Sequence, residues 1–212
     1  MKNFFILIIL SISTVSLAGT NITNGYWLGT FTKNEIRKDV SLWAETQLRY
    51  NLSVGEMGQL LYRFGPLIKL DKLKFELGLL YGFIQNNNSK EHRLTLQHAK
   101  NYDFFKDWPF STRIRLEHRI RENIEESSQR IRILARISKD ISNSEKIVLW
   151  NEIFINLKDN TWAGKKSDRN RLFLGIRNVY KTYNIEYGYL NQYAANSDIK
   201  SMSHVLVTYF NF

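Results

Sequence analysis

Apolar and polar side chains alternate with a period of two along most of this chain. The alternation is sharpest in Phe110–Arg121, where Ile114, Leu116 and Ile120 fall on one side and arginines dominate the other. Successive side chains of a β-strand point to opposite faces, so this segment predicts a strand with one apolar and one strongly cationic face. A helix, with 3.6 residues per turn, would mix the two sets.

The same alternation recurs through the rest of the chain and predicts a series of strands joined by turns. The eleven candidate strands are Tyr26–Lys33, Val40–Tyr50, Gln59–Phe64, Leu73–Phe83, His92–Lys100, Phe110–Arg121, Gln129–Ile137, Ile147–Leu157, Arg171–Val179, Thr182–Gln192 and Val205–Phe212. Tight connections alternate roughly with longer ones that are rich in Asn, Lys and Ser. This is the asymmetry expected between the two ends of a membrane barrel.

Two environments produce strands with one apolar and one charged face. In a soluble sheet the apolar face covers a core, whereas in an outer-membrane barrel it contacts lipid and the polar face lines the lumen. Many candidates reach the roughly 10 residues of a tilted membrane crossing. The numerous Phe, Tyr and Leu side chains are also too large to fill so small a barrel from inside. The sequence therefore predicts an all-β fold, an antiparallel up-and-down transmembrane β-barrel of about 10 to 12 strands.

The number of candidate strands conflicts with a general rule. Bacterial single-chain barrels have an even number of strands, so eleven candidates leave two resolutions. In the first, Tyr26–Lys33 is not a crossing and the barrel has about 10 strands. In the second, one strand lacks a recognisable pattern and the barrel has about 12.

The first residues of the chain have the features of a cleavable signal peptide. Lys2 precedes the apolar run Phe4–Leu10, and Ser16–Ala18 forms a small-x-small cleavage site. The apolar run is shorter than the roughly 20 residues of a membrane-spanning helix. We therefore expect residues 1–18 to be a signal peptide and residues 19–212 to be a single barrel domain in the outer membrane of a Gram-negative bacterium. The chain has no cysteine, which excludes thiolate metal sites and disulfides.

Two resemblances support this interpretation. The ending V-L-V-T-Y-F-N-F, with Phe210 and Phe212 on one face, resembles the aromatic signal read by the outer-membrane barrel assembly machinery. The ordered motifs R-I-R-L-E-H-R, R-I-R-I, N-E-I-F-I-N-L, R-L-F-L-G-I and E-Y-G-Y-L-N-Q resemble an uncharacterised family of small bacterial proteins, a domain of unknown function predicted to form outer-membrane β-barrels. The resemblance implies location and architecture, and it supplies no catalytic residues.

The formal net charge of +10 directs attention to the predicted lumen. The predicted lumen-lining charged residues are Glu45, Arg49, Arg63, Glu76, Arg93, Arg113, Arg115, Glu117, Arg119, Arg121, Arg130, Arg132, Arg136, Glu152, Arg171, Arg177 and Glu186. Buried charges must be paired, so one hypothesis is an Arg and Glu network that fills the lumen and acts structurally. In it, Glu45, Glu76, Glu152 and Glu186 neutralise the arginines from across the lumen. The alternative is a narrow pore for anions or small solutes.

Weaker hypotheses rest on other polar groups. Lys158, Lys165 and Lys166 lie in a basic loop that could contact lipopolysaccharide phosphates. His118 falls on the apolar face, where a phospholipase-like enzyme would place its base, but no serine shares that face of the strand. A lipid-modifying enzyme and a soluble periplasmic lipid carrier of lipocalin type are therefore less favoured. We expect a non-enzymatic protein without cofactor or metal, whose partners are outer-membrane lipid and lipopolysaccharide rather than nucleic acid.

Overall fold

The computed structural model describes residues 20–102, 107–157, 162–163, 167–196 and 199–212, which form a closed β-barrel of eleven strands. The strands are β1 (Thr20–Arg37), β2 (Val40–Asn51), β3 (Glu56–Leu70), β4 (Phe75–Asn86), β5 (Ser89–Tyr102), β6 (Phe110–Arg121), β7 (Ser128–Asp140), β8 (Glu145–Asn156), β9 (Ser167–Val179), β10 (Asn184–Asn196) and β11 (Ile199–Asn211). The predicted all-β barrel of about 10 to 12 strands is confirmed. The predicted signal peptide lies outside the described residues.

Helical structure is minimal. A 3₁₀ turn, Asp71–Leu73, joins β3 to β4 and is the only helix in the described ranges. No helix among these residues has the length and apolar character needed to cross a membrane.

The barrel closes through one parallel pair of strands. Strands adjacent in sequence pair in antiparallel fashion, whereas β1 and β11 run parallel, with Thr20 opposite Lys200 and Phe31 opposite Asn211. The backbone N–H of Phe212 also donates to the carbonyl oxygen of Phe31 at 2.8 Å. An odd number of alternating strands leaves the first and last in the same direction, which makes this pair parallel. The expectation of an even number is therefore wrong, and the candidate Tyr26–Lys33 is part of β1.

The outer surface of the barrel is apolar along successive strands. Leu79, Leu96, Ile114 and Leu206 are between 44% and 60% exposed, and each alternates with buried neighbours on its own strand. An exposed apolar surface this extensive is unusual for a soluble monomer and typical of a surface that contacts another apolar phase. The structure therefore places the predicted apolar faces on the outside.

The interior is divided between apolar and charged side chains. A buried apolar cluster from β1 and β8–β11 occupies one side, and Leu61, Leu80 and Ile84 are buried on β3 and β4. The cluster consists of Trp27, Val148, Trp150, Phe173, Leu190, Val205, Val207 and Tyr209. The charged side chains come mainly from β2 and β5–β7. The lumen therefore contains a packed apolar sector beside a charged one.

The two ends of the barrel differ in their longest connection. The Phe212 end, where β11 finishes, carries the connections 38–39, 71–74, 103–109, 141–144 and 180–183. The Thr20 end, where β1 starts, carries 52–55, 87–88, 122–127, 157–166 and 197–198. Each end has short and long connections, so the predicted alternation of tight and long connections is wrong. The longest connection, 157–166, lies at the Thr20 end.

Candidate functional site

The strand register brings the predicted charged residues to the inward face. All 17 occupy the inward alternate positions of their strands, where most are buried. These residues are Glu45, Arg49, Arg63, Glu76, Arg93, Arg113, Arg115, Glu117, Arg119, Arg121, Arg130, Arg132, Arg136, Glu152, Arg171, Arg177 and Glu186. Because the side-chain period of a strand is two, the register that turns the apolar set outward turns this set inward.

Glu117 lies at the centre of the charged sector and is 0% exposed. Its carboxylate accepts hydrogen bonds from Arg130 Nη2 at 2.7 Å and Arg132 Nη1 at 2.8 Å. Arg63 Nη2 approaches the same carboxylate at 3.6 Å. Arg130 and Arg132 lie on β7, the strand next to Glu117, and Arg63 reaches in from β3. One carboxylate therefore holds three arginines from two parts of the barrel wall.

Glu152 is a second buried carboxylate that contacts three arginines. Its carboxylate oxygens accept hydrogen bonds from Arg132 Nη2 at 2.8 and 2.9 Å and from Arg113 Nη2 at 3.2 Å. Arg171 Nη1 lies 3.5 Å away. Arg132 contacts both carboxylates, so Glu117 and Glu152 belong to one continuous network. Such charge-assisted pairs are strong when every member is satisfied, and costly when one partner is missing.

Glu91 is a further buried carboxylate that the sequence did not predict, and it pairs with two of the predicted arginines. It is 5% exposed and accepts hydrogen bonds from Arg93 Nε at 2.6 Å and Arg119 Nε at 2.8 Å. The predicted strand begins at His92, three residues after the observed start of β5 at Ser89, and so leaves out Glu91. Glu91 has the same parity as Arg93, so extending the alternation by one residue would have identified it. Arg169 was missed in the same way, because the predicted strand began at Arg171 and β9 begins at Ser167.

Glu186 and Glu76 are two of the four glutamates expected to neutralise arginines from across the lumen, and they differ in their partners. Glu186, on β10, pairs with Arg136 of β7, three strands away, and with Arg177 of the adjoining β9. Glu76 instead pairs with Lys33 near the Phe212 end and contacts none of the arginines among its recorded interactions. The expectation that Glu76 neutralises the arginines is therefore wrong. Glu76 lines the same cavity at the Phe212 end as Arg113 and Arg136, but its carboxylate is taken by Lys33 of β1.

A central cavity of about 310 Å³ is lined by charged and aromatic side chains. Among the described residues, eleven arginines and three glutamates line it. The arginines are Arg49, Arg63, Arg93, Arg113, Arg115, Arg130, Arg132, Arg136, Arg169, Arg171 and Arg177, and the glutamates are Glu45, Glu152 and Glu186. The aromatic residues in the wall include Phe31, Trp43, Trp150 and Tyr209. The glutamates therefore leave a large excess of positive charge at the cavity wall.

Cavities at the two barrel ends share wall residues with the central one. At the Phe212 end, a cavity of about 580 Å³ shares Arg113 and Arg136 with it. At the Thr20 end, a cavity of about 150 Å³ shares Arg49. The cavity at the Phe212 end is also lined by Asp71, whose pKa is lowered because Lys69 donates a hydrogen bond to its carboxylate. Arginines therefore lie where the central cavity adjoins each of the two end cavities.

The β8–β9 connection packs against the Thr20 end. The Trp162 ring lies 4.8 Å from the guanidinium carbon of Arg119 and 6.0 Å from that of Arg121. Its indole N–H donates to the carbonyl oxygen of Glu126 at 2.9 Å. Cation–π contact of this kind holds the connection against the arginines at this end. The predicted lipopolysaccharide contacts in this connection, Lys158, Lys165 and Lys166, lie outside the described residues.

The histidine named as a possible catalytic base has no nucleophile beside it among its recorded contacts. His118 Nδ1 lies 3.1 Å from Gln129 Nε2, and that amide also reaches Ser127 Oγ at 3.4 Å. A general base must be within hydrogen-bond reach of the group that it activates, and Gln129 separates these two side chains. No cluster of three or more metal-ligating side chains occurs within the described ranges.

Comparisons with known proteins agree with this architecture. A comparison with curated proteins gave no match. A solved structure described as a NanC porin in a rhombohedral crystal form aligns with a TM-score of 0.50 and 12% identity, over 83% of this chain and 91% of that chain. At this identity the likeness concerns the fold. A family model described as a protein of unknown function, DUF2490, matches residues 24–203. The motif resemblance is thereby confirmed, and the chain belongs to the DUF2490 family of unknown function.

Proposed function

We propose that this protein is a non-enzymatic outer-membrane β-barrel whose lumen forms a narrow, anion-selective passage. The observation that carries the proposal is the excess of arginine over glutamate around the central cavity. Rings and patches of arginine are a recognised basis of anion selectivity in pores.

The membrane location is supported by the distribution of side chains across the barrel wall. Apolar residues such as Leu79 and Leu96 cover the outside, while charged residues such as Arg132 and Glu152 are buried inside. A lipid-carrying barrel of lipocalin type needs the opposite distribution, with an apolar interior and a polar surface. The porin-like fold points in the same direction. In this location the outer surface would contact outer-membrane lipid and lipopolysaccharide.

The charge of the cavity at the Phe212 end supports a passage for anions. The cavity at the Phe212 end is lined by six cationic residues and two acidic ones, with Lys33, Lys69, Lys74 and Lys100 among the former. A mouth with one dominant sign of charge concentrates counter-ions and raises their association rate. From there, Arg113 and Arg136 lead into the central cavity. The cationic path therefore extends from the mouth to the middle of the barrel.

A structural role without conduction is the second candidate, and a specific observation favours it. Glu117, Arg63 and Arg130 are at most 2% exposed, and the apolar cluster fills part of the interior. In a barrel of this size, side chains occupy most of the lumen. In this case the network would hold the wall together and pass no current.

Planar-bilayer recording separates the two candidates. The refolded protein is inserted into a bilayer under a KCl gradient, and the reversal potential is measured. A passage lined by excess arginine gives a potential of the sign expected for chloride flux. Replacing Arg113, at the junction of two cavities, by Glu should lower the selectivity. The exposed turn residue Lys181 provides the control, because Lys181→Glu makes the same charge change away from the cavities. A silent trace, or cation preference in the wild type, contradicts the passage.

A further inference from the structure

We propose that the central cavity contains a binding site, centred on Arg115, for a small organic anion with one oxoanion group and a ring-sized apolar body. This inference rests on the proposed function and names the class of solute that the passage would favour. It is carried by the single recorded hydrogen bond of Arg115, the aromatic side chains of the cavity wall and the cavity volume.

Arg115 is a buried cation without a carboxylate partner among the described residues. It is 2% exposed, and its recorded hydrogen bond runs from Nε to Gln97 Oε1 at 2.7 Å. The terminal nitrogens Nη1 and Nη2 have no acceptor in the described part of the chain, while the side chain lines the central cavity. A buried charge is costly unless it is paired. The vacant face of this guanidinium therefore suits an external oxoanion, which accepts two parallel N–H bonds.

The network around Arg115 cannot supply the missing negative charge. Arg132, directly opposite on β7, already takes both Glu117 and Glu152. Glu45 is held by Arg63 at 2.9 Å. These carboxylates are each bound to other arginines. A ligand that brings its own carboxylate or phosphate would offset the local excess of positive charge without disturbing existing pairs.

The aromatic side chains of the cavity wall specify the rest of the ligand. The Trp43 ring centre lies 5.5 Å from the guanidinium carbon of Arg115, and Phe31 lies 6.2 Å from Trp43. Tyr209 makes an edge-on contact with Phe31 at 5.2 Å. Aromatic rings favour offset or edge-on contact with a further ring. A solute with its anionic group on Arg115 would place an apolar body against this wall, and about 310 Å³ is more space than a bare inorganic ion requires.

Calorimetry on the folded barrel in detergent micelles tests the site without requiring conduction. Benzoate is titrated at constant ionic strength beside acetate, which lacks the ring, and benzamide, which lacks the charge. We expect saturable one-to-one binding of benzoate. Benzamide should bind about tenfold more weakly because it loses the charge-assisted hydrogen bond. Acetate should also bind about tenfold more weakly because it loses the contact with the aromatic rings. Equal binding of all three, or no saturation for benzoate, overturns the site.

Two substitutions on the same strand assign the effect to Arg115. Arg115→Gln should weaken benzoate binding about tenfold. Arg121→Gln removes the same charge from the same face, but Arg121 lies at the Thr20 end beside Trp162 and outside the central cavity lining. Its affinity should stay within about twofold of the wild type, as expected for a distant, screened charge. An equal loss in both variants indicates general electrostatics and overturns the site.

A third variant covers the case in which Arg115→Gln does not fold. Arg115→Lys keeps the charge but loses the planar fork that binds an oxoanion through two bonds. It should retain chloride selectivity in bilayers while benzoate binding weakens, and undiminished binding overturns the proposal. Failure of the passage itself has a different signature, because a sealed lumen gives a silent bilayer trace whether or not calorimetry detects benzoate.

Discussion

Single glutamates determine whether the arginine-rich interior is stable. Glu117 contacts Arg63, Arg130 and Arg132, and all four side chains are at most 7% exposed. Removing the negative charge would leave three buried guanidinium groups with less compensation. Breaking a buried ion pair by removing one partner is much more destabilising than losing an exposed pair. The carboxylates therefore stabilise the barrel by neutralising buried arginines, whose charge would be uncompensated without them.

Glu117→Gln preserves the size of the side chain and removes its charge. We expect it to lower the free energy of unfolding by about 3–5 kcal/mol, the usual cost of breaking a buried pair. Glu76→Gln is the matched control, because Glu76 pairs with the half-exposed Lys33 near the rim and its loss should cost at most about 1 kcal/mol. Urea titrations of both variants in lipid vesicles, followed by the mobility shift between folded and unfolded barrel, measure the difference. Equal costs would contradict the central position of Glu117.

At the scale of strands, the sequence predicts faces better than boundaries. Alternation identified the inward face of β6 in full, because Phe110–Arg121 is both the predicted and the observed strand. The strand β3 was predicted as Gln59–Phe64, whereas it continues to Leu70 through Gly65 and Pro66. Gly and Pro usually mark strand ends. Here tertiary pairing with β2 and β4 carries the backbone past them, which local sequence does not reveal.

Gly65 is required by the close approach of β3 to β4. Its φ is +158°, and a Cβ atom at this position would lie 2.1 Å from the carbonyl oxygen of Leu79. Gly65→Ala should therefore lower the free energy of unfolding by about 1–3 kcal/mol, as for other overpacked sites. Gly82→Ala on β4 is the control, since its Cβ would have no neighbour closer than 3.6 Å. Unfolding midpoints in urea test the pair, and an unchanged midpoint for Gly65→Ala would refute the steric argument.

At the scale of the whole molecule, closure of the barrel determines contacts between distant strands that sequence patterns do not predict. Alternation places Arg136 and Glu186 on inward faces, but they meet only because the curvature of the closed wall brings together side chains of β7 and β10, which lie three strands apart. Such contacts depend on strand number and stagger, and neither is encoded locally. The three arginines around Glu152 lie instead on the nearby strands β6, β7 and β9, so their arrangement depends on strand register, which alternation alone does not give. What the sequence does establish is the excess of inward cations, from which the anion hypothesis follows.

The odd number of strands predicts a membrane topology that differs from that of an even-stranded barrel. Because β1 and β11 are parallel, the start of β1 and the end of β11 lie at opposite ends of the barrel. The longest connection, 157–166, is at the Thr20 end, and external loops are generally the longer ones. We therefore expect the Thr20 end to face outward and the Phe212 end to face the periplasm.

Single cysteines test this orientation cleanly, because the chain contains none of its own. Asn21→Cys and Asn88→Cys, both exposed at the Thr20 end, should react with a membrane-impermeant maleimide on intact cells. Asn143→Cys, exposed at the Phe212 end, should react only after the outer membrane is permeabilised. Heat-modifiable migration verifies that each variant is folded. Labelling at residue 88 with protection at residue 21 would mean that β1 starts in the periplasm, which requires an even number of crossings and excludes the parallel β1–β11 closure.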